Sequence, residues 1–205
     1  LKLLLLKSPR EISNKELQEL LDCPIPPGSK VEQAFNFRRK EYQQHKMKML
    51  NHPFTELLGG HPQAISLTAP LLKDNSLTDL FLTFCNSNVM DVIDESCANK
   101  NAYTSLRVSL EMSIEHVRHK NEKAIELFSL IGLLPAGVNK QELNDMWGNN
   151  EWIRLKDELV RASLLLFKTD SSGTAVYNML PFMAERAYEI LEEKQNLRKI
   201  FHLKC

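Results

Sequence analysis

Glycine is scarce: there are seven in 205 residues, and none directly precedes a lysine. That excludes the loop G-x-x-x-x-G-K-[ST], whose backbone N–H groups and lysine cradle nucleotide phosphates. No apolar run ends in the paired acids that hold Mg²⁺. Phosphoryl transfer depends on those parts for positioning and charge, so this chain alone is not expected to bind or hydrolyse ATP. The patterns G-x-S-x-G and H-E-x-x-H are also missing, and with them a serine nucleophile elbow and a helical zinc site. The four cysteines, Cys23, Cys85, Cys97 and Cys205, have neither metal-finger nor redox spacing. Free thiols in a reducing, cytoplasmic compartment are the expectation. No catalytic residue and no metal ligand is assigned.

Neither sign of charge is in excess. The 26 basic and 26 acidic residues fall as 11 and 12 before Asn99 and 15 and 14 after it. Neither half has the basic surplus of a dedicated nucleic-acid binder. Long apolar runs are missing too. The opening "LKLLLLK" is too short for a membrane span or a signal-peptide core, so no membrane partner is expected. It lacks an initiator Met, and Leu3–Leu6 read as a buried strand belonging to a longer protein. The 43% apolar content supports a true core, in one large or two small domains.

The elements that are present read as mainly helical. In "SPREISNKELQELL", Ser13 and Glu16 form a capping box and Ile12 with Leu17 a hydrophobic staple. Three prolines and Gly28 in "DCPIPPGSK" stop that helix. A second helical stretch follows, with a diluted basic cluster at Arg38, Arg39, Lys40, Lys46 and Lys48 that reads as a solvated face. "SLTDLFLTFC" starts at Ser76 with Asp79 three residues on, and Leu77, Leu80, Phe81 and Phe84 form its stripe. "NSNVMDVIDESCANKNAY" is polar and aperiodic, which places a domain boundary near Asn99. Beyond it, Leu106, Leu110, Ile114 and Val117 share one helical face, as do Ala124, Leu127, Phe128 and Ile131. Gly132 and Pro135 end that second helix. Asn139 and Glu142 cap a short helix, and Trp152, Leu155, Leu159 and Ala162 face inward on the next. The period then changes to two: "LLLFKTD", a Ser-Ser-Gly turn and "TAVYNM" predict a β-hairpin. Pro181 opens a closing helix. Helices, a hairpin and a closing helix make the pattern of a winged-helix domain.

Between the two halves of the first domain lies "LLGGHPQAISLTAPLL". Gly59 or Gly60 can take the left-handed conformation that ends a helix, and Pro62 lacks only an N–H that the first helical position does not use. Ile65, Thr68, Ala69 and Leu72 line up behind it, and Pro70 should bend or end the new helix. The stretch reads as a helix–turn–helix hinge with a positively polarised helix start, or simply as a tight turn between two core helices.

The order of strand, helical domain, Gly-x-Pro hinge and winged helix resembles the C-terminal part of the nucleotide-binding module of STAND-class signalling NTPases. Within them it is most similar to NB-ARC proteins that carry tetratricopeptide repeats. The resemblance covers nearly the whole chain. "LLGGHPQAISLTAPLL" is similar to the family's Gly-Leu-Pro-Leu box, with Gly60 and Pro62 matching and His61 and Gln63 standing where leucines are usual. "SLRVSLEMSIEHV...AIELFSLIGLLPAG" resembles the winged-helix opening, and "YNMLPFMAERA" the stretch that bears the Met-His-Asp motif.

The resemblance implies residues 1–12 as the end of an NTPase core, with one strand of its α/β sheet. It implies 13–98 as a helical lid, 99–193 as a winged helix, and 194–205 as a helical linker to downstream repeats. Gly60, His61 and Pro62 would face the nucleotide, with the Pro62 ring against the adenine. "LLLLKSPRE" resembles a sensor strand ending in an arginine near the γ-phosphate, which would make Arg10 that residue; Arg10 reads equally well as a surface cation. At the Met-His-Asp site Met179 matches, but Leu180 replaces the histidine and Pro181 the aspartate. Leucine cannot donate to a phosphate; His116 and His119 are alternative donors in principle, and as a helix pair at i, i+3 beside Glu115 and Arg118 they also read as surface residues.

Three readings follow. The first is the regulatory segment of an ADP/ATP-dependent signalling switch, with Mg²⁺ accompanying ATP. Its partners are an intramolecular NTPase core, downstream repeats and further copies on activation. The second is an adaptor with a degenerate nucleotide site. The third, a nucleic-acid-binding winged helix, is disfavoured because the candidate recognition helix Glu151–Arg161 carries no net charge.

Overall fold

The structure is a computed structural model that describes residues 2–22, 54, 58–86, 100–169 and 173–193. It is mainly helical, with one small antiparallel sheet. The chain divides into two compact units, Leu1–Met112 and Ser113–Cys205. The expected boundary near Asn99, the basic cluster at Arg38–Lys48 and the linker 194–205 lie outside the described residues.

In the first unit, residues expected as a strand form helix α1, Lys2–Lys7. This corrects both the strand at Leu3–Leu6 and its place in a missing sheet. A run of four leucines has no period, and a short apolar run alone does not separate strand from helix. Leucine is a strong helix former with no β-branch to favour the pleat. Lys7 in the last turn suits the helix dipole, and Pro9 disfavours helix at the residue before it. Leu4 is fully buried, and α1 packs on α3, Pro62–Thr68, and on the 3₁₀ turn Ala69–Lys73 that continues it. The chain tightens from α to 3₁₀ at Ala69, as Pro70 requires. Ile65, Thr68, Ala69 and Leu72 are all buried. Thr68 satisfies its buried hydroxyl by donating to Ala64 O at 2.8 Å. Helix α2, Asn14–Asp22, packs on α4, Leu77–Asn86. The α4 stripe Leu77, Leu80, Phe81 and Phe84 is buried, with Phe54 edge-on to Phe84 at 6.3 Å between centroids.

The long helix α5, Lys100–Lys120, contains the point at which the chain divides. The second unit continues with α6, Glu122–Gly132; β1, Val138–Asn139; α7, Lys140–Trp147; α8, Glu151–Arg161; β2, Leu166–Thr169; β3, Ala175–Asn178; and α9, Pro181–Glu193. The order helix–β1–helix–helix–β2–β3, with strands side by side as β1-β3-β2, is winged-helix topology. The hairpin pairs Phe167 with Tyr177 and Lys168 with Val176. Strand β1 adds a third member that alternation could not reveal, because it is two residues long. It pairs Val138 with Tyr177.

Three local devices set this unit. Asn139 and Glu142 form a complete capping box on α7. Trp152 Nε1 donates to Asn144 Oδ1 at 2.7 Å, tying α8 to α7 without leaving a buried donor unpaired. Helix α8 ends in a Schellman turn: Leu164 N donates to Leu159 O at 2.9 Å and Ser163 N to Val160 O at 3.0 Å, with Ser163 left-handed at φ 60°.

Helices α6 and α9 pack closely at Gly132. A Cβ on Gly132 would stand 2.5 Å from Ala187 Cβ and 3.6 Å from Met179 Sδ. Gly132→Ala therefore destabilises the second unit by about 1–3 kcal/mol, although alanine is the better helix former. Unfolding followed by the fluorescence of Trp147 and Trp152 measures it, and adding Ala187→Gly restores part of the loss. A neutral or stabilising Gly132→Ala would contradict this packing.

Candidate functional site

The hinge forms as its residue types dictate. Gly59 and Gly60 both take positive φ, 63° and 62°, and both are exposed. A Cβ on Gly60 would meet nothing within 4 Å, so its requirement for glycine is conformational and not steric. His61 is the N-cap of α3: its Nδ1 accepts from Gln63 N at 3.2 Å. Pro62 opens α3 with its ring exposed. A rigid exposed ring on a fixed helix end can serve as an apolar wall without loss of rotamer freedom.

Arg10 is neither a free sensor nor a plain surface cation. All five of its N–H groups have partners. Nη1 and Nη2 donate to the two oxygens of Glu16 at 2.9 and 2.7 Å. Nε donates to Leu72 O at 2.7 Å, and the remaining two hydrogens serve Asn75 O at 3.1 Å and Glu11 O at 3.2 Å. Glu16 Oε1 also accepts from Leu77 N at 2.8 Å, at the first turn of α4. One carboxylate thus closes an arginine fork and neutralises a helix start.

This corrects the capping box expected at the start of α2. Ser13 Oγ does accept from Glu16 N at 3.1 Å, but the Glu16 carboxylate turns to Arg10 and Leu77 in place of the Ser13 backbone. A charged bidentate partner is a stronger claim on a carboxylate than one neutral amide.

The clasp favours the charged forms of both groups. The hydrogen bond from Arg10 lowers the Glu16 pKa against the opposing effect of partial burial, and the Leu77 N–H lowers it further. The hydrogen bond to Glu16 raises Arg10 in turn. The pair faces an open cleft of about 470 Å³ whose rim includes Lys15, Lys73, Glu19 and Asp74.

Arg10 and Pro62 do not converge. Leu72, which anchors Arg10, is ten residues beyond Pro62 along α3 and its 3₁₀ continuation, about 17 Å at 1.5 and 2.0 Å per residue. Pro62 keeps its ring exposed at the start of α3. A phosphate role is not open to Arg10 while Glu16 holds it.

Met179, Leu180 and Pro181 lie in the second unit. Met179 is half-buried next to Gly132. Leu180 precedes the first residue of α9, and its carbonyl accepts from Met183 N and Ala184 N at 2.9 and 3.0 Å. Pro181 is the exposed first helical residue. The motif positions thus build a helix start. Of the alternative donors, His119 is exposed and His116 half-buried. On α8, Arg154 pairs with Glu158 at 3.2 Å and Lys156 with Asp157 at 2.5 Å. Burial works to lower the Lys156 pKa, but Asp157 and Tyr177 together raise it. The Lys156 ammonium sits 5.0 Å above the Tyr177 ring.

Among the described residues, no three His, Cys, Asp or Glu side chains group as a metal site. No described helix is long and apolar enough to cross a membrane. No family model, curated protein or solved structure matches the chain.

The Glu16 clasp predicts a pH dependence. The folded pKa lies below the unfolded value near 4.5. Its stabilisation is therefore complete above that value and is lost as pH falls through the folded one. Melting temperatures from neutral pH down to about pH 3 should show wild type and Glu16→Gln converging in acid. Parallel curves over the whole range would contradict the clasp.

Proposed function

We propose that this chain is the regulatory segment of an ADP/ATP-dependent signalling switch. The helical unit closes over the nucleotide and the winged helix controls assembly with further copies. The observation that carries the reading is the hinge. Two consecutive left-handed glycines, a histidine N-cap and an exposed proline at the first helical position form a rigid apolar edge next to a pivot. The winged-helix topology of the second unit and the sequence resemblance to NB-ARC proteins support it. The segment itself is not an enzyme; nucleotide is held mainly by an NTPase core upstream, with Mg²⁺ accompanying ATP, in the cytoplasm.

The adaptor reading has two observations in its favour. All five Arg10 N–H groups are engaged, two of them by Glu16, and Leu180 offers no donor where the resemblance expects a histidine. The paired cations of α8 weigh against nucleic acid, since phosphate contacts dominate that affinity.

The test is the nucleotide content of the longer protein that carries this segment. Heat denaturation followed by mass spectrometry should release about one ADP per chain, and Pro62→Ser should lower that occupancy. A switch binds its states unequally, so ADP should be retained over ATP. A well-folded protein that releases no nucleotide moves the assignment to the adaptor.

A further inference from the structure

The Arg10 fork has the geometry that binds oxyanions. Two parallel N–H donors at 2.7 and 2.9 Å grip a carboxylate, and the same fork grips a phosphate. The backbone N–H of Leu77 adds a third donor to the same carboxylate, at the start of a ten-residue helix. Outside the carboxylate the site opens to solvent. The Arg10 side chain keeps 34% of its surface exposed, against 15% for Glu16. Lys15 and Lys73 stand on the rim of the cleft. Lys15 is only loosely engaged, at 3.6 Å from Glu19 with most of its surface exposed.

We propose that Glu16 is an internal competitor for an oxyanion site formed by Arg10, the Leu77 amide and the two rim lysines. A phosphate chain enters there only by displacing the Glu16 carboxylate. The assignment of a phosphate chain as ligand rests on the nucleotide reading above; the competition itself rests on the fork. Tethering sets the strength of the competitor. Glu16 is six residues from Arg10 on an ordered helix, so its effective concentration at the fork exceeds that of a free monoanion in the millimolar range. A polyanion that also meets Lys15 and Lys73 has the charge to exchange with it. Once Glu16 swings out, the acidic residues on the cleft's rim among the described residues are Glu19 and Asp74, against Arg10, Lys15 and Lys73.

The experiment titrates inorganic triphosphate into the 205-residue chain and follows the Arg10 Nε–Hε and Leu77 amide resonances. Glu16→Gln is the informative variant, because its amide oxygen can still accept from Leu77 while the negative charge is gone. It should bind triphosphate about tenfold more tightly than wild type or better. Adding Arg10→Ala should abolish the gain. Glu19→Gln, which removes an equal charge from the same cleft without touching Arg10, should change little. Amide spectra of each variant establish that it is folded, and Glu16→Asp, which shortens the reach to the fork, gives an intermediate gain. The proposal is overturned if Glu16→Gln binds no better than wild type, if the gain survives loss of Arg10, or if Glu19→Gln matches it. ADP titrated in parallel separates the two ideas. A Glu16-dependent gain with triphosphate but no Pro62-dependent gain from the adenosine moiety sinks the nucleotide reading and leaves the competition intact.

Discussion

The first unit is organised around one carboxylate. Glu16 joins three segments: the turn that carries Arg10, helix α2 on which Glu16 sits, and, some sixty residues on, the corner where the 3₁₀ turn meets α4. Arg10 adds anchors to Leu72 O and Asn75 O at that same corner. Leu72 O belongs to the end of the 3₁₀ turn, where acceptors have no intrahelical partner, and Asn75 O to the bend that follows it. The guanidinium satisfies the end of one helix while its partner carboxylate satisfies the start of the next. Apolar contacts of α1 on α3 and of α2 on α4 supply the bulk of the burial, but they are non-directional. The clasp fixes which ends meet.

The second unit solves the same problem of helix ends by local means. Asn139 and Glu142 cap α7, Gly148 closes it in the left-handed region at φ 78°, and Ser163 closes α8. Ser163 is the sole non-glycine with positive φ among the described residues. It persists because Leu159 and Leu164, buried on either side of the turn, hold it there. Gly132 is glycine for a different reason: α9 comes too close for a side chain. This places Met179, the residue that matched a nucleotide-facing motif, in a packing role beside it.

Much of this was legible in the sequence because helical periodicity is a direct consequence of burying one face. The stripes at Leu106–Val117, Ala124–Ile131 and Trp152–Ala162 are buried as the spacing predicts. The left-handed glycines, Pro62 at the first position of α3, the change to 3₁₀ at Pro70, the Asn139 box and the hairpin all follow from residue types acting on neighbours. What escaped were features without a local signal. Leu3–Leu6 has no period, and β1 is too short to show one. The partner of Arg10 could not be read either. Ser13 and Glu16 satisfy a local pattern, and only the fold brings Leu77, 61 residues away, to the same carboxylate. For the candidate site, sequence supplied Pro62 and the pivot, while Glu16 and its hold on Arg10 came from the structure alone.

The result is a segment whose Pro62 edge is exposed and whose arginine fork is filled by its own carboxylate. The most direct measurement is amide hydrogen exchange at Leu77, near neutral pH. Leu77 is the first residue of α4 and would have no hydrogen-bond partner without Glu16. The account predicts a protected amide that speeds up when Glu16 or Arg10 is replaced by alanine, with the interior of α4 unchanged. A Leu77 amide that exchanges at the open-chain rate in the wild type would contradict it.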